Sequence, residues 1–108
     1  LKVIHGKKNH ILLDFFISND FVHFGKLKIP VGIHSDPETH KGDEVLFVLK
    51  GSLTVQAYED DDDGESVLHK TYKIDTGEQF LMPDGIRHRY INFSNEVVEA
   101  IFGIAPQL

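Results

Sequence analysis

Two short segments of this chain, roughly forty residues apart, end in side chains able to bind a metal ion. The first runs Glu38-Thr39-His40-Lys41-Gly42-Asp43-Glu44 and leads straight into the apolar stretch Val45 to Leu49, then Gly51. The second runs from Gly77 through Pro83-Asp84-Gly85 to His88 and on to Asn92. Glu38, His40, Glu44 and His88 together offer two imidazoles and two carboxylates. Those are the nitrogen and oxygen donors that Fe, Mn, Ni, Co or Zn accept as divalent ions. In an extended segment residues two apart share a face, so Glu38 and His40 can aim at one point. Glu44 keeps that parity if a tight turn forms around Gly42, and His88 must arrive from a separate strand.

The rest of the chain narrows the chemistry by exclusion. It contains no Cys, which removes disulfides, thiolate metal sites and cysteine nucleophiles. A net charge of -6 gives no basic face for nucleic acid, so no nucleic-acid partner is expected. No apolar run approaches the ~18 residues of a membrane helix, and the opening residues read as strand rather than as a secretory signal. A cytoplasmic location and no membrane partner are therefore expected. A chain that opens on Leu1 suggests a domain cut from something longer.

The elements that must position the four candidate ligands read as short strands. Apolar and β-branched runs occupy 11–17, 22–29, 44–49, 52–59, 67–74, 79–82, 87–92 and 97–104, separated by turn residues. Many short strands at this spacing, with no sustained 3.6-residue period, predict an all-β sandwich or barrel in one domain over residues 1–108. Asp60-Asp61-Asp62-Asp63-Gly64 is a run of consecutive acids. Calcium loops alternate their carboxylates, so this run reads as a solvated hairpin tip with Gly64 at positive φ. Val45 to Leu49 is apolar on both faces. With Glu44 inside, Leu46 and Val48 follow it inward, while Val45, Phe47 and Leu49 form an outer stripe that needs a cover. A homodimer or a partner domain is expected there.

The spacing of the two segments resembles the motifs of the cupin superfamily. His40, three residues, Glu44, six residues and Gly51 match the latter half of its first motif, and Gly77, Pro83, Gly85, His88 and Asn92 fill every slot of its second. Glu38 stands where that first motif carries its leading His, and the upstream Gly is displaced, with Gly32 nearest. The resemblance implies a double-stranded β-helix, the jelly-roll barrel, with a metal or ligand at one mouth. It leaves three readings of the departure at position 38: Glu38 replaces the imidazole, His34 swings in from the Pro30–Pro37 loop, or the site is crippled.

The function implied is a metal-dependent enzyme of dioxygenase, isomerase or decarboxylase type acting on a small organic molecule. The alternatives are a non-catalytic binding or sensor domain and a degenerate structural barrel. Tyr90, which shares the parity of His88, is expected to line the pocket with Leu46 and Val48 near the metal. No second polar cluster shares the motif strands, so no additional general acid or base is apparent. His23, beside Phe24, can point either way.

Overall fold

The computed structural model describes residues 2–5, 11–60 and 62–105. Its elements are β1 (Lys2–His5), β2 (Ile11–Ser18), β3 (His23–Ile29), β4 (Asp43–Lys50), β5 (Ser52–Asp60), β6 (Ser66–Asp75), β7 (Gln79–Met82), β8 (Arg87–Ile91) and β9 (Val98–Ala105). All eight predicted strands are present within a residue or two at their ends, and β1 is an additional one. A six-stranded sheet in the order β1-β2-β3-β9-β4-β7 faces a three-stranded sheet in the order β6-β5-β8, and neighbouring strands pair antiparallel throughout. Strand β9 at the chain's end sits between β3 and β4, which is the interleaving of a double-stranded β-helix.

The core follows from strand alternation. Ile29, Leu46, Val48 and Val98 on the large sheet and Leu53 and Val55 on the small one have no solvent exposure. Each such side chain contributes roughly 1.5–3 kcal/mol by leaving water. Glu44, Leu46 and Val48 are buried, whereas Val45 and Leu49 on the other face are 49% and 40% exposed, as the parity argument required.

Two local devices set up the site. The first is a β-bulge in β2. Pairing runs Phe15 with Gly25 and then Ile17 with Phe24, so Phe16 is the extra residue and the side-chain parity of β2 reverses beyond it. Ile11, Leu13 and Phe15 line the interior before the bulge, and Ser18 does so after it. At Gly25, a Cβ would collide with the backbone carbonyl oxygen of Asp14, so only glycine fits opposite the bulge. The second device is a clamp between turns. The amide of Asp84 donates to Asp43 Oδ1 at 2.9 Å, and the amide of Gly42 donates to Asp84 Oδ2 at 3.0 Å. It locks the turn carrying His40 and Glu44 to the turn that precedes His88.

Asn92 and Gly51 hold the frame around this clamp. The buried Asn92 side chain donates to Ile29 O and Glu96 O, both at 2.8 Å, and accepts from the amide and hydroxyl of Ser94. Gly51 joins β4 to β5 at φ 82°, and a Cβ there would press on Val98 at 3.1 Å. The acidic tip between β5 and β6 has Gly64 at φ 80°, as expected of a hairpin turn, while Asp61 lies outside the described residues.

Candidate metal centre

Three of the four predicted ligands converge. His40, Glu44 and His88 bring donor atoms within 4.8 Å of one another. His40 Nε2 lies 3.1 Å and His88 Nε2 3.6 Å from the same carboxylate oxygen, Glu44 Oε1. The imidazoles meet edge to face, 5.1 Å between centroids. Glu44 comes from the inner face of β4 and His88 from that of β8, so the cluster bridges the two sheets. His40 stands outside the named strands, brought in by the turn that the Asp84 clamp fixes.

Backbone carbonyls orient both rings. His88 Nδ1 lies 2.8 Å from Ile86 O. A carbonyl only accepts, so Nδ1 carries a proton and Nε2 is the ring atom turned to the cluster. His40 Nδ1 makes a longer contact of the same kind, 3.4 Å to Lys41 O. Tyr90 adds a neutral donor: its hydroxyl gives a 2.6 Å hydrogen bond to Glu44 Oε1.

The electrostatics favour an ionised carboxylate. Burial pushes the Glu44 carboxyl upward, but the imidazoles of His40 and His88 and the Tyr90 phenol outweigh it and bring the pKa down to about 2. His40 is raised above its ordinary value, first by its hydrogen bond to Glu44, against burial, which lowers it. Burial, and then the nearby Glu44 charge, push the Tyr90 phenol well above the ordinary tyrosine value, so it stays protonated as a donor. A buried anion flanked by two Nε2 atoms suits a divalent transition ion, whose charge would take the place of the imidazole proton.

Glu38 is placed differently. Its backbone pairs with that of His88 in an isolated bridge, through amide-to-carbonyl bonds of 2.8 and 2.9 Å. Its half-buried side chain lines the same cavity, close enough for its charge to act on His40 and Tyr90, but lies outside the three-residue cluster. His34 is exposed, with Nδ1 3.0 Å from Ser35 O, and is not among the cavity residues.

The cavity beside the cluster measures about 320 Å³. Glu38, His40, Glu44, His88 and Tyr90 form one wall, and Leu13, Phe15, Leu27, Phe102 and Ile104 are among the apolar residues opposite. Leu46 and Val48, expected at this wall, are instead sealed in the packed core, in one buried cluster with Leu53, Val55 and Ile74 of the three-stranded sheet. A second polar pair reaches the cavity from outside the motif strands, on β2 and β3. Ser18 and His23 line the cavity and hydrogen-bond to each other, Oγ to Nδ1 at 2.7 Å. Alternation along β3, where Leu27 and Ile29 point inward, carried the signal for His23. Ser18 had none, because the bulge reverses its parity.

Comparison with solved structures returns the same architecture. The cupin domain of Schizosaccharomyces pombe Cnp3 aligns with a TM-score of 0.75 at 15% identity, covering 90% of this chain and 65% of that one. An RmlC-like cupin family protein from Methanocaldococcus jannaschii aligns at 0.73 and 13% identity, covering 98% and 89%. A recombinant oxalate oxidase in complex with glycolate aligns at 0.76 and 19% identity, covering 98% of this chain but 55% of that chain. This chain thus spans about half to two thirds of two of these three structures. Comparison of the sequence with curated proteins finds no match. The cupin domain family model matches residues 25–104, the span from the Gly25 bulge through both ligand segments to β9. With that match over most of its length and the double-stranded β-helix around it, this chain belongs to the cupin domain family.

Proposed function

We propose that residues 1–108 act as one metal-binding barrel domain that takes a small organic molecule into the cavity and turns it over in a metal-dependent reaction. The observation that carries this reading is the convergence of His40 Nε2, His88 Nε2 and Glu44 Oε1 on one point at the cavity wall. His40, Glu44 and His88 are the ligands, and Glu38, on the same wall, is the fourth. A bound divalent ion would supply Lewis acidity towards an oxygen-bearing substrate. The chain itself orients the His88 imidazole through Ile86 O, holds Glu44 ionised through Tyr90, and excludes water along the apolar wall. The oxalate oxidase likeness supports the fold around such a site. The apolar wall of this cavity favours a different, less polar substrate.

Elemental analysis of protein grown with supplemented metals tests the site. Near-stoichiometric Fe, Mn, Ni, Co or Zn is expected, lost in His40→Ala and His88→Ala and weakened in Glu38→Ala. Metal-free protein from such growth sinks the reading, and unchanged affinity in Glu38→Ala removes Glu38 from the ligand set. Turnover is screened by oxygen uptake, isomerisation and decarboxylation. Ligand binding that persists equally in His88→Ala, with no turnover, would make this a binding domain instead.

We also infer that the protein is a homodimer through the outer face of the six-stranded sheet. Phe24, Val45, Leu49 and Leu81 are exposed there, around the half-buried Phe47.

A further inference from the structure

The Ser18–His23 pair lies on the inner face of the large sheet, in the same row as Glu44. His23 pairs with Ile104, and Ile104 pairs with Glu44, so two strand spacings separate His23 from the metal wall. At ~4.8 Å per strand that is about 10 Å between backbones. Ile104 and Phe102 fill the floor between them, and Phe15 meets the His23 ring edge to face at 6.3 Å. The cavity therefore has two polar poles and an apolar middle. Ser18 engages Nδ1, and among the described residues His23 Nε2 has no hydrogen-bond partner. Among the described residues, no Lys or Arg lines the cavity.

We propose that His23, positioned by Ser18, is the second anchor of a two-ended ligand: an oxygen-bearing head at the metal wall, an apolar or aromatic middle, and a hydrogen-bonding end, such as a carboxylate, at His23. A ligand as short as a two-carbon dicarboxylate cannot span the poles. The head's placement rests on the metal reading above, while the His23 anchor does not.

Three probes separate the poles: catechol carries the head and the aromatic ring without the carboxylate, hydrocinnamate the ring and the carboxylate without the head, and dihydrocaffeate all three. On protein loaded with redox-inert Zn(II), calorimetry is expected to show dihydrocaffeate binding about tenfold more tightly than catechol, the scale of one charge-assisted hydrogen bond. His23→Ala should abolish that advantage while leaving metal content and catechol affinity unchanged, and His23→Gln should recover part of it. Equal affinities in the wild type, or an advantage that survives His23→Ala, would overturn the proposal. If the protein holds no metal, hydrocinnamate decides: tighter binding to wild type than to His23→Ala supports the anchor while the metal reading fails. Equal or absent hydrocinnamate binding then overturns the anchor too.

Discussion

Glu44 is the residue on which the site's charge balance turns. Its carboxylate is buried, yet its pKa lies far below the ordinary value of 4.5, at about 2, because His40, His88 and Tyr90 all hold it. For a group lowered on folding, the stabilisation is complete above the unfolded value and is lost as pH falls through the folded one. His40 is raised above 6.5, so its share is complete below 6.5 and is lost as pH climbs through the folded value. Metal-free protein should therefore gain most from this pair between about pH 4.5 and 6.5, and lose stability on both sides. Urea midpoints of chelator-treated protein across pH 2.5 to 8.5 measure this, and Glu44→Gln should flatten both limbs. An acid limb as steep in Glu44→Gln as in the wild type would show that other carboxylates control it. That Glu44 belongs with His40 and His88 was legible from a spacing that resembles the two cupin motifs. The 2.6 Å Tyr90 bond was not, since parity places a phenol in the interior without naming its partner.

At the scale of elements, the bulge in β2 and the clamp at Asp84 do the positioning. Both depend on backbone geometry that a period-two pattern cannot express. The strand runs were readable because one face of each is buried. The extra residue at Phe16 was not, since Phe16 and Ile17 simply continue an apolar run, and both prove exposed, at 57% and 50%. Gly25 is the residue that permits this register. Gly25→Ala would force its Cβ into the Asp14 carbonyl, so either β2 and β3 separate or the bulge is lost. A destabilisation of roughly 2–4 kcal/mol by denaturant unfolding is expected, at the upper end of single-site effects. Gly64→Ala serves as a control: its Cβ would meet nothing, and its cost is limited to the positive φ, about 1 kcal/mol. If Gly25→Ala costs no more than Gly64→Ala, the bulge does not need glycine. The Ser18–His23 anchor would then rest on a register the strand can leave.

At the scale of the whole molecule, the barrel turns one face of its large sheet towards the core and cavity and leaves the other unusually apolar. On that outer face Phe24 and Val45 both stand opposite Gly103, Val45 also pairs with Leu81, and Phe47 lies opposite Ile101. The absent side chain at Gly103 leaves a shallow groove between Phe24, Val45 and Phe47. The stripe was read directly from the sequence, because once Glu44 faces inward the parity of β4 fixes Val45, Phe47 and Leu49 outward. Its extension to Phe24, Leu81 and Ile101 needed the strand order, which local sequence does not encode. Isologous pairing of two copies would lay each stripe across the other and remove several large apolar groups from water, each contributing about 1.5–3 kcal/mol. Lys26, Lys28 and Glu99 form ion pairs of 3.1 and 3.5 Å at one end of this face, a polar rim beside the apolar centre. Light scattering at tens of micromolar should report a dimer, and Phe47→Lys should shift it to monomer with metal content unchanged. A monodisperse monomer in the wild type would mean that a different partner covers the stripe, or that it stays open to solvent.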